Sequence, residues 1–195
     1  MNIKQSAVSK KSVFLLKVIP NPKDRKSFLL FIIITALLSL IGVLLIILNH
    51  QQLMTQDFRH YKGIFKQFGS ISRIGYFFVL SIYPIYLFLK SKKIKALQWR
   101  NFQVKNLLQF LAKIVRKWHV PVALLSTGII FLHGLLAILR GFKLDFTYLS
   151  GIVAAIVLLF LMLMGLKRFK RTDNNWHFKL GIGFFILFMI HATFS

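Results

Sequence analysis

Long apolar segments alternate along the chain with short segments that carry most of its charge. The apolar segments are residues 27–49, 74–89, 119–139, 149–166 and 176–194. About 20 apolar residues in a helix are enough to cross the roughly 30 Å hydrocarbon core of a bilayer. The pattern therefore predicts an all-α, polytopic membrane protein with five transmembrane helices, the second of them short and broken by Pro84.

The connections between these segments differ in character. Residues 50–73 are predicted to form a polar connection, in which His50, Asp57 and His60 are a weak candidate metal site without a recognisable ligand spacing. In residues 94–118, apolar side chains recur at spacings of three and four while basic side chains occupy the other side. This pattern predicts an amphipathic helix that lies on the membrane surface and continues into the third span. Binding of lipid headgroups and docking of a soluble electron donor both fit it.

Composition agrees with a membrane protein, since hydrophobic residues make up 56% of the chain and the mean hydropathy is +0.67. A formal net charge of +23 would suggest nucleic-acid binding in a soluble protein, but here the basic residues lie between apolar segments. Of the Lys and Arg residues, 21 lie in residues 1–26, 90–117 and 167–179, against 6 in residues 50–73 and 140–148. The positive-inside rule then predicts a cytoplasmic N-terminus and an extracytoplasmic C-terminus. Residues 1–26 are interpreted as a basic cytoplasmic segment lying on anionic lipid.

Residue types that the chain lacks exclude several kinds of cofactor site and disfavour one class of membrane protein. The chain has no cysteine, which excludes disulfides, thiolate metal sites, iron–sulfur clusters and covalent haem attachment. It has no glutamate, and its four aspartates lie outside the apolar segments. Proton- or cation-coupled transporters usually keep a carboxylate at membrane depth, so a transporter is disfavoured. Apart from Lys179 near the start of the fifth segment, histidine is left as the ionisable residue of the predicted spans.

Two of the apolar segments share a histidine pattern. Each has a Trp-His pair at its start, Trp118-His119 or Trp176-His177, and reaches a second histidine fourteen residues after the first, at His133 or His191. Fourteen residues of helix rise about 21 Å and return to within about 40° of the starting direction, so both histidines of a pair share a face. Ordinary buried histidines are the alternative interpretation, although imidazole within an apolar span is costly and usually has a partner.

The topology suggests how these histidines pair. The third and fifth spans are separated by one span and therefore run parallel, which would put His119 level with His177 and His133 level with His191. Two facing imidazoles suit the axial positions of a non-covalently held b-type haem, so the sequence predicts two haems.

Other residues near the histidine faces fit two interpretations. The small side chains Ala123, Ser126, Ala137 and Gly181 could leave room for the macrocycle or could serve close helix packing. Likewise, Arg116, Lys117 and Arg140 could pair with propionates or could simply be basic residues at span ends.

The doubled H-x13-H pattern on alternate spans resembles the ferric reductase-like transmembrane domain superfamily. The resemblance covers residues 74–194 and leaves residues 27–49 as an accessory transmembrane helix. It implies a four-helix haem-binding core, including the amphipathic helix 94–118, with His119, His133, His177 and His191 as axial ligands of the haem irons. Two-haem cytochromes b561 and the cytochrome b of quinol-oxidising complexes share related spacings.

The resulting prediction is a multi-pass cell-membrane cytochrome b, expected to be bacterial, that passes electrons across the bilayer. The chain carries no G-x-G-x-x-G fingerprint, so electrons are expected from a cytoplasmic flavoprotein or membrane quinol. Ferric iron or a partner reductase would accept them on the extracytoplasmic side. The alternative from a different class is a structural or assembly subunit of a membrane complex that holds no haem.

Overall fold

The computed structural model describes residues 17–99, 102–139 and 141–194. Five of its helical segments are long and apolar enough to cross a membrane, which confirms the predicted all-α polytopic fold. The elements are α1 (Pro22–Leu48), α2 (His50–Thr55), α3 (Phe58–Leu80), α4 (Ile82–Lys90), α5 (Lys92–Lys95), β1 (Gln98–Trp99), β2 (Phe102–Gln103), α6 (Val104–Leu139), α7 (Phe146–Arg168) and α8 (Trp176–Phe194). The second span is formed by α3 and α4 together. Most of the basic segment 1–26 lies outside the described residues.

The predicted polar connection at residues 50–73 is wrong, because α3 already begins at Phe58. Asp57 caps this helix, with Oδ2 accepting from the backbone N–H of Arg59 at 3.2 Å. Polar residues are frequent in the first turns of α3, but they leave a buried face that includes Tyr61 and Ser72. These polar residues lower the mean hydropathy of the stretch, so the sequence did not indicate that the second span begins there. The buried positions nevertheless follow the helical period.

The predicted helix 94–118 also differs from the structure. Lys92–Lys95 form α5, Gln98–Trp99 and Phe102–Gln103 form the antiparallel pair of β1 and β2, and α6 begins only at Val104. From there it continues without interruption through Pro121 to Leu139, which gives 36 residues and about 54 Å of helix. Part of the expected lipid-facing stripe, around Ala112 and Val115, packs against Ile85 of α4. A second apolar element of the same chain therefore covers that part of the stripe.

The described residues form two compact units, the first of which is residues 30–141. Its main contact is the antiparallel packing of α3 against α6. The Tyr61 hydroxyl donates to the Leu136 carbonyl, and the Tyr76 hydroxyl lies 3.2 Å from Thr127 Oγ1. Tyr61, Leu132 and Leu136 form a buried cluster with Ile46 of α1. Apart from Ile46, α1 buries little and leaves side chains such as Ile47 62% exposed, as a lipid-facing helix does.

The second unit consists of the described parts of Met1–Leu29 and Phe142–Ser195, and its main contact is α7 against α8. Asp145 caps α7, since its Oδ1 accepts from the backbone N–H of Tyr148 at 2.9 Å. The turn between the helices holds the buried Asp173, which pairs with Arg168 at 3.3 Å. Three residues of this turn have positive φ angles, namely Arg171, Asn174 and Asn175. The turn reverses the chain, so that α8 runs back along α7.

Candidate functional site

The four histidines singled out by spacing are all half-buried residues of transmembrane helices. His119 and His133 belong to α6 in the first unit, whereas His177 and His191 belong to α8 in the second. Each unit is therefore considered by itself, and the pairing of histidines across the two units stays a prediction.

His133 is held against α3 by a backbone contact. Its Nδ1 lies 2.7 Å from the Phe65 carbonyl oxygen, and the two rings lie 5.7 Å apart at 55°. One turn further along α3 is Gly69, where an added Cβ would lie 3.1 Å from both Nδ1 and Cε1 of the imidazole. A side chain at residue 69 would therefore require the ring to move by a few tenths of an ångström.

His191 shows the same arrangement against α7. Its Nδ1 lies 3.1 Å from the Thr147 carbonyl oxygen and 3.3 Å from the Ser150 hydroxyl. An added Cβ at Gly151, four residues after Thr147, would lie 2.9 Å from the imidazole Cε1. Real Cβ atoms essentially never approach so closely, so any side chain at residue 151 would displace the ring.

His177 repeats the arrangement one further time, with looser contact. Its Nδ1 lies 3.2 Å from the Leu161 carbonyl oxygen. Gly165 again follows the carbonyl residue by four positions, and an added Cβ there would lie 3.4 Å from Cε1, at ordinary van der Waals distance.

The recurring offset of four residues has a simple cause. In an α-helix the carbonyl of residue i points toward residue i+4, whose amide it accepts. A side chain at residue i+4 lies beside that carbonyl. When residue i+4 is glycine, the second lone pair of the carbonyl oxygen is open to a group on a neighbouring helix. The three glycines at residues 69, 151 and 165 therefore expose the carbonyls that the three imidazoles contact.

The carbonyl contacts also determine which ring nitrogen carries the proton. A carbonyl oxygen can only accept, so these contacts make Nδ1 the donor in His133, His177 and His191. The Ser150 hydroxyl beside His191 agrees with this, because it donates its own proton to the Thr147 carbonyl at 3.0 Å. In the neutral imidazole the lone pair is then on Nε2. Histidines that bind metal through one ring nitrogen usually donate the other N–H to a carbonyl or carboxylate in this way, which fixes the tautomer and the ring orientation.

Sequence reasoning missed the glycines, although a signal for two of them was present. Gly151 and Gly165 of α7 are fourteen residues apart, the same spacing as His177 and His191 of the antiparallel α8. Fourteen residues after Gly69 the chain has Tyr83 instead. The glycine and histidine spacings therefore match in full between α7 and α8 and only in part between α3 and α6.

The histidine faces also hold small residues, and here the packing interpretation gains support. Ser126 is 3% exposed, and a Cβ at Gly75 would collide with its hydroxyl, so the two residues mark a close contact of α3 with α6. On α8, Gly181 is buried together with Phe184 and Phe188. Ala123 and Ala137 are half-buried.

The basic residues considered for propionates have contacts within the chain. Arg116 donates to the Tyr86 hydroxyl and also lies over that ring, 5.7 Å from its centroid. The Lys117 ammonium is 5.9 Å from the centroid of the Trp118 ring. Arg140 lies outside the described residues.

The weak candidate site in residues 50–60 is not assembled. Asp57 is engaged as the cap of α3, while His50 and His60 are exposed. Throughout residues 17–99, 102–139 and 141–194, no three His or Asp side chains come together as a metal-binding group. Axial ligation of haem needs only one imidazole on each side of the iron, so this observation concerns other kinds of metal site.

Comparison of the chain with models of protein families, with characterised proteins and with solved structures finds no match. The resemblance to the ferric reductase-like domain therefore rests on the four histidines and their spacing and stays a prediction.

Proposed function

We propose that this protein is a membrane-embedded b-type cytochrome that passes electrons across the bilayer. The observation that carries the proposal is the repeated Nδ1-to-carbonyl contact of His133, His177 and His191. Such a contact leaves the lone pair on Nε2, the nitrogen that would bind iron, and it recurs at three of the four histidines that share the fourteen-residue spacing. The residues present therefore fit bis-histidine ligation.

The proposed ligand pairs are His119 with His177 and His133 with His191, one pair for each of two haems. A b-type haem supplies one-electron uptake and release and is held without a covalent bond, in keeping with the absence of cysteine. The chain would contribute axial ligation, a fixed imidazole orientation and apolar surroundings.

The charge distribution supports the proposed orientation of the chain in the membrane, and the proposed direction of electron transfer follows from that orientation together with a cytoplasmic donor. With 21 Lys and Arg residues in segments 1–26, 90–117 and 167–179, these segments are proposed to face the cytoplasm of a bacterial cell. Electrons would enter near His119 and His177 from a cytoplasmic flavoprotein or from membrane quinol. They would leave near His133 and His191 toward ferric iron or a partner reductase.

The test is an absorbance spectrum of the purified protein, oxidised and dithionite-reduced, with a pyridine haemochrome count per chain. Two low-spin b haems are expected after expression with adequate haem supply. A matched control is His50→Ala, which removes an exposed histidine outside the proposed set and should leave the spectrum unchanged. Colourless protein would overturn the proposal.

One observation favours the alternative, a structural or assembly subunit without haem. Each carbonyl contact of a histidine is made within its own unit, so these imidazoles contribute to helix packing without any ligand. The alternative predicts that replacing a histidine lowers helix-pair stability in a protein that never shows a haem spectrum.

A further inference from the structure

We propose that Gly151 and Gly165 of α7 are positioning residues that set the tautomer and orientation of His191 and His177, respectively. The steric restriction is tight at Gly151 and looser at Gly165. The inference deepens the proposed function, on which its haem readout rests. Its tautomer readout needs no haem.

The first step of the argument is the match of two spacings. Gly151 and Gly165 are fourteen residues apart on α7, and His177 and His191 are fourteen residues apart on α8. Because the helices run antiparallel, the first glycine meets the second histidine and the second glycine meets the first. One helix thus presents the same small opening twice, at the two positions where the other presents an imidazole.

The second step is what the opening exposes. Thr147 and Leu161 precede the glycines by four residues, and their carbonyl oxygens lie 3.1 and 3.2 Å from the histidine Nδ1 atoms. Both carbonyls belong to regular helix, so each serves its own helix and also a neighbouring ring. A side chain large enough to collide with the ring would push the imidazole away from the oxygen and weaken its preference for the Nδ1–H tautomer.

The third step is the difference between the two positions. An added Cβ at Gly151 would lie 2.9 Å from His191, whereas at Gly165 it would lie 3.4 Å from His177. A methyl group therefore fits at residue 165 and does not fit at residue 151. Gly165 becomes restrictive only toward a larger side chain.

The experiment uses the full chain labelled with ¹⁵N-histidine in nanodiscs, in which imidazole nitrogen shifts report the tautomer of each ring before haem is added. Gly151→Ala should shift His191 from the Nδ1–H tautomer toward a mixture and leave His177 unchanged. Gly165→Ala should change neither ring, whereas Gly165→Val should shift His177 alone. Gly183→Ala and Gly183→Val are matched controls, because a Cβ at Gly183 meets nothing within 4 Å.

The unchanged histidine in each variant is an internal control for folding. Simultaneous change of both rings in Gly151→Ala, or equal effects of Gly151→Ala and Gly183→Ala, would overturn the inference. Haem titration then adds the second readout. Gly151→Ala should weaken one of the two haem sites by about tenfold or more, the usual consequence of losing a partner that orients a ligand.

The two proposals fail separately. If the tautomer pattern follows the predictions and the protein binds no haem, the cytochrome proposal is wrong and the positioning role stands. If haem binds and substitutions at residues 151 and 165 leave the tautomers of His177 and His191 unchanged, the positioning role is wrong and the cytochrome proposal stands.

Discussion

The two helix pairs α3/α6 and α7/α8 each hold two candidate histidines at the same spacing, but they support them differently. In α7/α8 a glycine and a carbonyl accompany both His177 and His191. In α3/α6 a glycine and a carbonyl accompany His133. Hydrogen bonds of the Tyr61 and Tyr76 hydroxyl groups also connect these two helices. Equal spacing on one helix therefore does not imply equal surroundings on its neighbour.

The largest expected effect comes from removing single histidines. Under the proposed pairing, His133→Ala and His191→Ala should each abolish the same haem, and His119→Ala and His177→Ala should each abolish the other, because an axial ligand is lost. A pyridine haemochrome count should fall from about two haems per chain to about one in every case. If His133→Ala and His177→Ala removed the same haem, the pairing across the two helix pairs would be wrong.

The next largest effect tests the close contact in α3/α6. Gly75→Ala places a methyl group on the Ser126 hydroxyl, and overpacking of this kind typically costs about 1–3 kcal/mol in the free energy of unfolding. The measurement is reversible unfolding in mixed micelles.

The matching control for Gly75→Ala is Gly63→Ala, where a Cβ meets nothing within 4 Å. The double variant Gly75→Ala with Ser126→Ala should recover part of the loss, since neighbouring residues in contact couple. If the Gly63→Ala and Gly75→Ala variants were equally stable, the close packing of α3 on α6 at Gly75 would not contribute to the stability of this helix pair.

A smaller effect is expected from the hydroxyl contacts. Tyr61→Phe leaves the buried contact to the Leu136 carbonyl unmade and should cost about 1 kcal/mol of unfolding free energy. Tyr76→Phe should lower the unfolding free energy by less than Tyr61→Phe does. The Thr127 hydroxyl that loses the tyrosine still donates to the Ala123 carbonyl at 2.7 Å. The same unfolding assay measures both, and a larger loss for Tyr76→Phe would contradict this order.

These contacts mark the boundary of what the sequence could predict. Five spans and an all-α fold follow from apolar length, because a bilayer demands about 20 apolar residues in each helix. The candidate histidines were found from one fourteen-residue spacing that occurs in two apolar segments. The start of α3 at Phe58 was not found from the sequence, because the buried side of a polar helix depends on its partner, here the α6 residues around Leu136. The glycines at residues 69, 151 and 165 acquire meaning only when the facing helix is known.

The smallest expected effects compare the caps of the two helix pairs. Asp145 Oδ1 accepts from the third residue after it at 2.9 Å, whereas Asp57 Oδ2 accepts from the second residue after it at 3.2 Å. Replacing an N-cap aspartate with alanine costs roughly 0.5–2 kcal/mol, and the shorter contact should lie higher in that range. Asp145→Ala is therefore expected to lower the unfolding free energy more than Asp57→Ala does. Asp145→Asn keeps an accepting oxygen and should restore most of the loss, which separates capping from charge. If the alanine and asparagine variants were equally destabilised, the carboxylate would act at the start of α7 through its charge, and the two helix pairs would differ in electrostatics instead of in hydrogen-bond geometry.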